Sequence, residues 1–135
     1  MFTTKKIVRF GDCDPGKIMF FANIYKFAHE AFEDFILSNF DYKKYYYDNK
    51  IGFPLVKSEA SYRKPSIAGE TLQIELEILH ISDHAFSVSY NFYNNSELRA
   101  NVKTVHVAVD INSVTKTKIP QEIKQFLQLH LKQNN

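Results

Sequence analysis

The sequence predicts an α+β domain in which one long helix packs against an antiparallel sheet of about five strands. Two observations predict it. Apolar residues at Ile24, Phe27, Ala28, Ala31 and Phe35 recur at three- and four-residue steps, the period of a helix with one buried face. Farther along, Leu72, Ile74, Leu76 and Ile78 alternate with Gln73, Glu75 and Glu77, the period of a half-buried strand. With 135 residues the chain suits one core, so residues 1–135 are read as a single domain.

Residues 3–10 alternate as a first strand, with Val8 and Phe10 on one face. Asp12, Asp14, Pro15 and Gly16 then form a turn, since the carboxylates accept nearby N–H groups and glycine tolerates positive φ. The helix is placed at about residues 22–38, with Asn23 as its cap. Residues 39–52 cross over with a short helix capped by Asp41, and Tyr42, Tyr45, Tyr46 and Tyr47 cover the core or a subunit contact. Strands follow through Val56–Tyr62, Leu72–Ile78, Phe86–Phe92 and Leu98–Ile111, with a hairpin turn at Asn94, Asn95 and Ser96. The apolar phase flips between Val102 and Val105, which predicts a bulge near Lys103 or Thr104. Pro120 opens a closing helix whose stripe is Ile123, Phe126, Leu127 and Leu131, and Gln133 to Asn135 are expected to fray. Tyr93 on an outer strand face points to cover by a second subunit.

Composition narrows the class. Hydrophobic residues make up 44% and charged residues 24%, ordinary values for a globular protein. A net charge of +2 gives no reason to expect a nucleic-acid partner. Cys13 is the only cysteine, so no internal disulfide or thiolate cluster forms, and it reads as a small packing residue rather than a nucleophile. His29, His80, His84, His106 and His130 lack metal-ligand spacing, and Lys17 after Gly16 breaks a calcium-loop reading of the acidic turn. No run is long enough for a membrane span and the start has no signal-peptide pattern, which predicts a cytoplasmic protein with no membrane partner.

The run G-D-C-D-P-G followed by I-M-F-F-A-N resembles the hotdog-fold acyl-CoA thioesterases, specifically their 4-hydroxybenzoyl-CoA thioesterase branch. The specific part is Arg9 to Glu33; elsewhere the match lies in element order. The resemblance implies a helix wrapped by a sheet, dimers whose sheets join, often a homotetramer as a dimer of dimers, and active sites at the dimer interface. It places the catalytic carboxylate on Asp14, the oxyanion donor on the backbone N–H of Phe21, and a matching asparagine on Asn23. Relatives acting on short aliphatic acyl groups often carry His where this chain has Phe21. The basic cluster that holds the CoA nucleotide falls near Ser82, Asp83 and His84, of which only His84 can be positive.

The chemistry needs an attacking group and a donor for the developing oxyanion. Asp14 either attacks the thioester carbonyl or acts as general base on water. The Phe21 N–H supplies the donor, an element worth roughly 3 kcal/mol. Asp12 is read as structural, and Glu30 is the reserve base. Lys57, Arg63 and Lys64 are the candidates for the CoA phosphates and Phe20 for the acyl pocket; no metal or cofactor is called for. The expected activity is hydrolysis of an acyl or aroyl thioester to free acid and CoA. The alternatives are an acyl carrier protein as donor, or a non-catalytic acyl-binding module. The account requires the Asp14 carboxylate to lie across from the Phe21 N–H with room for a thioester between them.

Overall fold

The computed structural model describes residues 1–133. Strands are β1 (Phe2–Ile7), β2 (Ile51–Gly52), β3 (Leu55–Tyr62), β4 (Thr71–Ile81), β5 (Ala85–Asn94), β6 (Glu97–Val107), β7 (Val109–Asp110) and β8 (Thr115–Lys116). The helices are α1 (Asn23–Leu37) and α2 (Gln121–Leu129). Five strands form an antiparallel sheet in the order β1-β4-β5-β6-β3, and β2, β7 and β8 form a small second sheet.

The two periodicities seen in sequence meet face to face. Ile24, Phe27, Ala28, Ala31, Phe32, Phe35 and Ile36 of α1 are buried, as are Leu72, Ile74, Leu76 and Ile78 of β4 and Val88, Tyr90 and Phe92 of β5. Burying each large apolar side chain contributes roughly 1.5–3 kcal/mol, so this contact carries the fold. The outer face of the sheet bears Glu75, Glu77, Asn91, Asn101 and Lys103. Asn95 and Ser96 both have positive φ, the twist that a two-residue hairpin between β5 and β6 needs.

Several local expectations are corrected. The first strand ends at Ile7, and Phe10 opens a short 3₁₀ turn (Phe10–Asp12) where it is 87% exposed, so it does not share the buried face of Val8. Helix α1 has Ala22, which carries no capping group, at its cap position; Asn23 is its first residue and its side-chain amide donates to the Asp12 carbonyl instead. Asp41 does cap its segment: its Oδ1 accepts the Lys44 N–H at 2.7 Å, ahead of a π-helical turn (Lys43–Tyr47) that buries Tyr45 and leaves Tyr42, Tyr46 and Tyr47 exposed.

The bulge expected at Lys103 or Thr104 is absent. Pairing of β5 with β6 runs unbroken from Ala85↔Val107 to Phe92↔Ala100, and the shift falls at Phe92/Tyr93. The inner face of β6 is therefore Ala100, Val102, Thr104 and His106, while Val105 and Val107 face outward, half-buried. Polar side chains hold inner positions because each finds a partner. Strand β6 also ends at Val107, and Val109 moves to the small sheet while Ile111 is exposed. Leu131 lies beyond α2, bridged to Ile78 and exposed, so it is not part of the helix stripe. Of the three residues expected to fray, Gln133 is exposed outside any element, and Asn134 and Asn135 lie outside the described residues.

Candidate active site

The acidic turn is a small paired structure. The Asp14 N–H donates to the Ile18 carbonyl at 2.9 Å, and Cys13 bridges Met19. The Asp14 Oδ1 accepts the Gly16 N–H at 2.8 Å, the local bond such a turn sequence favours. Among the described residues Oδ2 has no partner. A Cβ at Gly16, which has no positive φ, would lie 3.0 Å from Asp14 Oδ1, so any larger residue there presses on the carboxylate. The left-handed residue of the turn is Lys17, with φ 66°.

A single carbonyl ties this turn to α1. The Asp12 oxygen accepts both the Phe20 N–H and the Asn23 Nδ2, each at 2.8 Å. Asp12 also accepts the Arg9 N–H through its carboxylate at 2.8 Å. Asp12 and Asn23 thus brace the turn against the helix start. The Phe20 carbonyl accepts the Asn23 N–H at 2.9 Å and points along the helix, so in a trans peptide the Phe21 N–H points out of the helix start. Among the described residues that N–H has no acceptor, which leaves it free to bind a developing negative charge. The Tyr62 hydroxyl donates to the Phe21 carbonyl and fixes the next peptide; burial raises the Tyr62 pKa, with Tyr25 adding to the shift.

Asp14 and Phe21 do not line the same cleft within one chain. Asp14 lines a space of about 470 Å³ with Phe10, Cys13, Lys17 and Ile67. Phe21 lines a space of about 260 Å³ with Ile18, Met19, Tyr62, Arg63 and Ser66. The Ile18↔Ile67 bridge runs between them. In the single chain the two groups thus border separate clefts, and the loop at residues 65–70 lines both, Pro65 and Ser66 on the Phe21 side and Ile67 and Ala68 on the Asp14 side.

The sequence model of the thioesterase-like superfamily matches residues 8–127. The chain belongs to the thioesterase-like superfamily. It is similar to the 1,4-dihydroxy-2-naphthoyl-CoA hydrolase of Nostoc punctiforme (30% identity, covering 94% of this chain and 86% of that one). It is also similar to the enzyme of the same name from Synechococcus elongatus (26% identity, 93% of each). The solved 1,4-dihydroxy-2-naphthoyl-CoA thioesterase from Synechocystis superposes with a TM-score of 0.87 at 24% identity, covering 94% of this chain and 95% of that one. A gentisyl-coenzyme A thioesterase superposes at 0.84 with 24% identity, covering 93% and 99%. At these identities the structural likeness carries the fold alone, and that fold is the hotdog.

In this thioesterase-like chain the other expected residues separate. Arg63 and Lys64 line the Phe21 cleft, although Lys64 is paired with Glu97 at 2.7 Å. Lys57 sits on the exposed edge strand opposite Val105 and lines neither cleft. Phe20 packs on Phe21 with ring centroids 4.9 Å apart. Glu30 lines a different cleft with Lys5, Arg9, Asp12 and Lys26, one that Asp14 does not line. The Ser82–His84 loop is engaged by the chain itself: His84 Nδ1 meets the Thr117 carbonyl at 2.8 Å and Asp83 pairs with Lys124 at 3.2 Å. Among the described residues no group of three His, Cys, Asp or Glu is placed to hold a metal ion.

Sequence reasoning missed one support of the site. Glu70 and Arg99 pin the loop at residues 65–70 that walls both clefts, and their separation of 29 positions leaves no local signal.

Proposed function

We propose that the protein hydrolyses an aroyl-CoA thioester, with Asp14 as nucleophile or general base and the Phe21 N–H as oxyanion donor. One observation carries the reading. Among the described residues, a carboxylate with one unpartnered oxygen and an amide with no acceptor are held on one braced unit by the Asp12 carbonyl. Attack by Asp14 on the carbonyl carbon breaks the C–S bond, releases CoA thiolate and leaves an acyl anhydride for water to open. As general base, Asp14 instead takes a proton from water as it attacks. In either course the oxyanion is held by the Phe21 N–H at the positive end of α1.

A second copy completes the site in this account. Strand β3 is one edge of the sheet; its Leu55, Val56 and Tyr62 are exposed, and Tyr62 lines the Phe21 cleft. An exposed apolar edge favours strand pairing with another chain. A partner seated there adds a wall across both clefts and gives the thioester one enclosed space. The names of the relatives favour a hydroxylated aromatic acyl group. The test is a panel of aroyl-CoA, aliphatic acyl-CoA and acyl carrier protein substrates assayed for free acid. The expected result is highest kcat/KM on aroyl-CoA. A preference for the carrier protein would move the partner, and binding without hydrolysis would overturn the reading.

A further inference from the structure

The Phe21 cleft is lined mostly by apolar side chains, and its polar ones differ in what they are free to do. Two are already engaged: the Tyr62 hydroxyl donates to the Phe21 carbonyl, and Lys64 pairs with Glu97. Arg63 is exposed and meets water. Ser66 is only 5% exposed, yet among the described residues its hydroxyl has no hydrogen-bond partner. Among those residues the one sealed side-chain polar atom without a partner is His130 Nδ1, so the Ser66 oxygen is not sealed, and the space this residue lines is the Phe21 cleft. A hydroxyl on a buried residue with no partner of its own is costly unless something entering the cleft meets it.

Main-chain pairing sets where Ser66 stands. The Met19 N–H donates to the Ser66 carbonyl at 2.7 Å, and Ile18 bridges Ile67 in the antiparallel sense. Opposed side chains of an antiparallel pair share a face, so Ser66 points to the same side as the buried Met19, and both line the cleft. Phe21 follows two residues after Met19. Ser66 is also the last residue of its loop on the Phe21 side before Ile67 walls the Asp14 side, so it stands at the junction of the two clefts. The cleft, of about 260 Å³, is smaller than the roughly 300–1,000 Å³ of pockets that enclose a drug-sized ligand, so a group seated in it is held close to both Phe21 and Ser66. Among the described residues no imidazole or carboxylate lines this cleft, so no base is at hand to make Ser66 a nucleophile, and its hydroxyl serves as a donor.

We propose that the Ser66 hydroxyl is a second oxyanion donor, acting with the Phe21 N–H in the cleft the two residues share. The inference rests on the thioester-hydrolase reading above and deepens it. As the carbonyl carbon is attacked, negative charge gathers on the carbonyl oxygen and the hydroxyl turns its proton toward it. The proton stays on Ser66 throughout. When the C–S bond breaks, the carbonyl re-forms, the charge leaves with the thiolate and the hydroxyl is released. Because the bond strengthens only as charge develops, it lowers the barrier more than it tightens substrate binding. The residue before it is held in place, since the Pro65 carbonyl accepts Arg99 Nη1 at 2.8 Å, so the hydroxyl is positioned before substrate arrives.

The test measures kcat and KM of Ser66→Ala on whichever thioester of the panel above wild type turns over fastest, with the fold checked by thermal unfolding. The expected result is a kcat lower by about tenfold to a hundredfold, with KM within about twofold of wild type and Tm nearly unchanged. Ser66→Cys, close in shape but with a weaker S–H donor, is expected to lower kcat in the same direction and serves if Ser66→Ala does not fold. An unchanged kcat in a folded variant, or a rise in KM alone, overturns the second donor and leaves the reading of Asp14 and Phe21 standing. Failure of wild type to hydrolyse any thioester of the panel overturns that reading and the second donor with it.

Discussion

Arg99 grips Glu70 with two parallel hydrogen bonds, Nη1 to Oε1 at 3.0 Å and Nη2 to Oε2 at 2.8 Å, while the same guanidinium donates to the Pro65 carbonyl at 2.8 Å. Glu70 in turn accepts the Ile67 N–H at 2.7 Å. One largely covered ion pair, with Arg99 side-chain exposure of 12%, therefore fixes the loop that walls both clefts. The bidentate geometry makes it stronger than an ordinary surface pair.

Arg99→Ala should remove about 2 kcal/mol of stability, the scale of hydrogen bonds to charged groups, which lowers Tm by about 6 °C for a chain of this size. Thermal unfolding checks this. Activity should fall more than the stability loss alone explains, because the loop carrying Ser66 and Ile67 is released.

The same pair sets an acid dependence. Hydrogen bonding to Arg99 is the main cause that lowers the Glu70 pKa. A carboxyl depressed in the fold stabilises it above the unfolded value of about 4.3, and that contribution is lost as pH falls through the folded value. The Tm difference between wild type and Glu70→Gln should therefore shrink as pH is lowered from neutrality into that range.

His106 predicts a dependence in a higher window. Its pKa is lowered chiefly by burial, so the unfolded chain takes up a proton first as pH falls below about 6.5. Stability should drop from there down to the folded value and then level off. His130, lowered by burial and by the N-terminal amino group, adds to the same slope. In His106→Gln the slope of Tm against pH should flatten; a slope equal to wild type would contradict burial of a neutral ring.

Gly16→Ala tests the turn without touching its carboxylate. The new methyl would lie 3.0 Å from Asp14 Oδ1, so the carboxylate must shift. We expect kcat to fall about tenfold or more, because small misplacement of a reacting group is costly. Stability should change by less than about 1 kcal/mol, since the position does not have positive φ. Paired kcat and unfolding measurements separate the two effects.

Much of the fold was legible because two strong periods, 3.6 in α1 and 2 in β4 and β5, each bury one face. Strand β6 was misread for a physical reason. Val105 and Val107 look like core residues, but pairing with β5 turns Thr104 and His106 inward, where local bonds satisfy them. Asn23 looked like a cap because asparagine suits that position, yet its amide serves the Asp12 carbonyl eleven residues away. Asp14 was legible through its motif. The separation of its cleft from that of Phe21 was not, because it follows from how the loop at 65–70 packs, a contact distant in sequence.

The central claim is that the Asp14 carboxylate performs the chemistry. Its most direct test is the turnover of aroyl-CoA by Asp14→Asn, with the fold checked by thermal unfolding. The account predicts a loss of about two orders of magnitude or more in kcat with Tm near wild type. Wild-type turnover in a folded Asp14→Asn protein would contradict it.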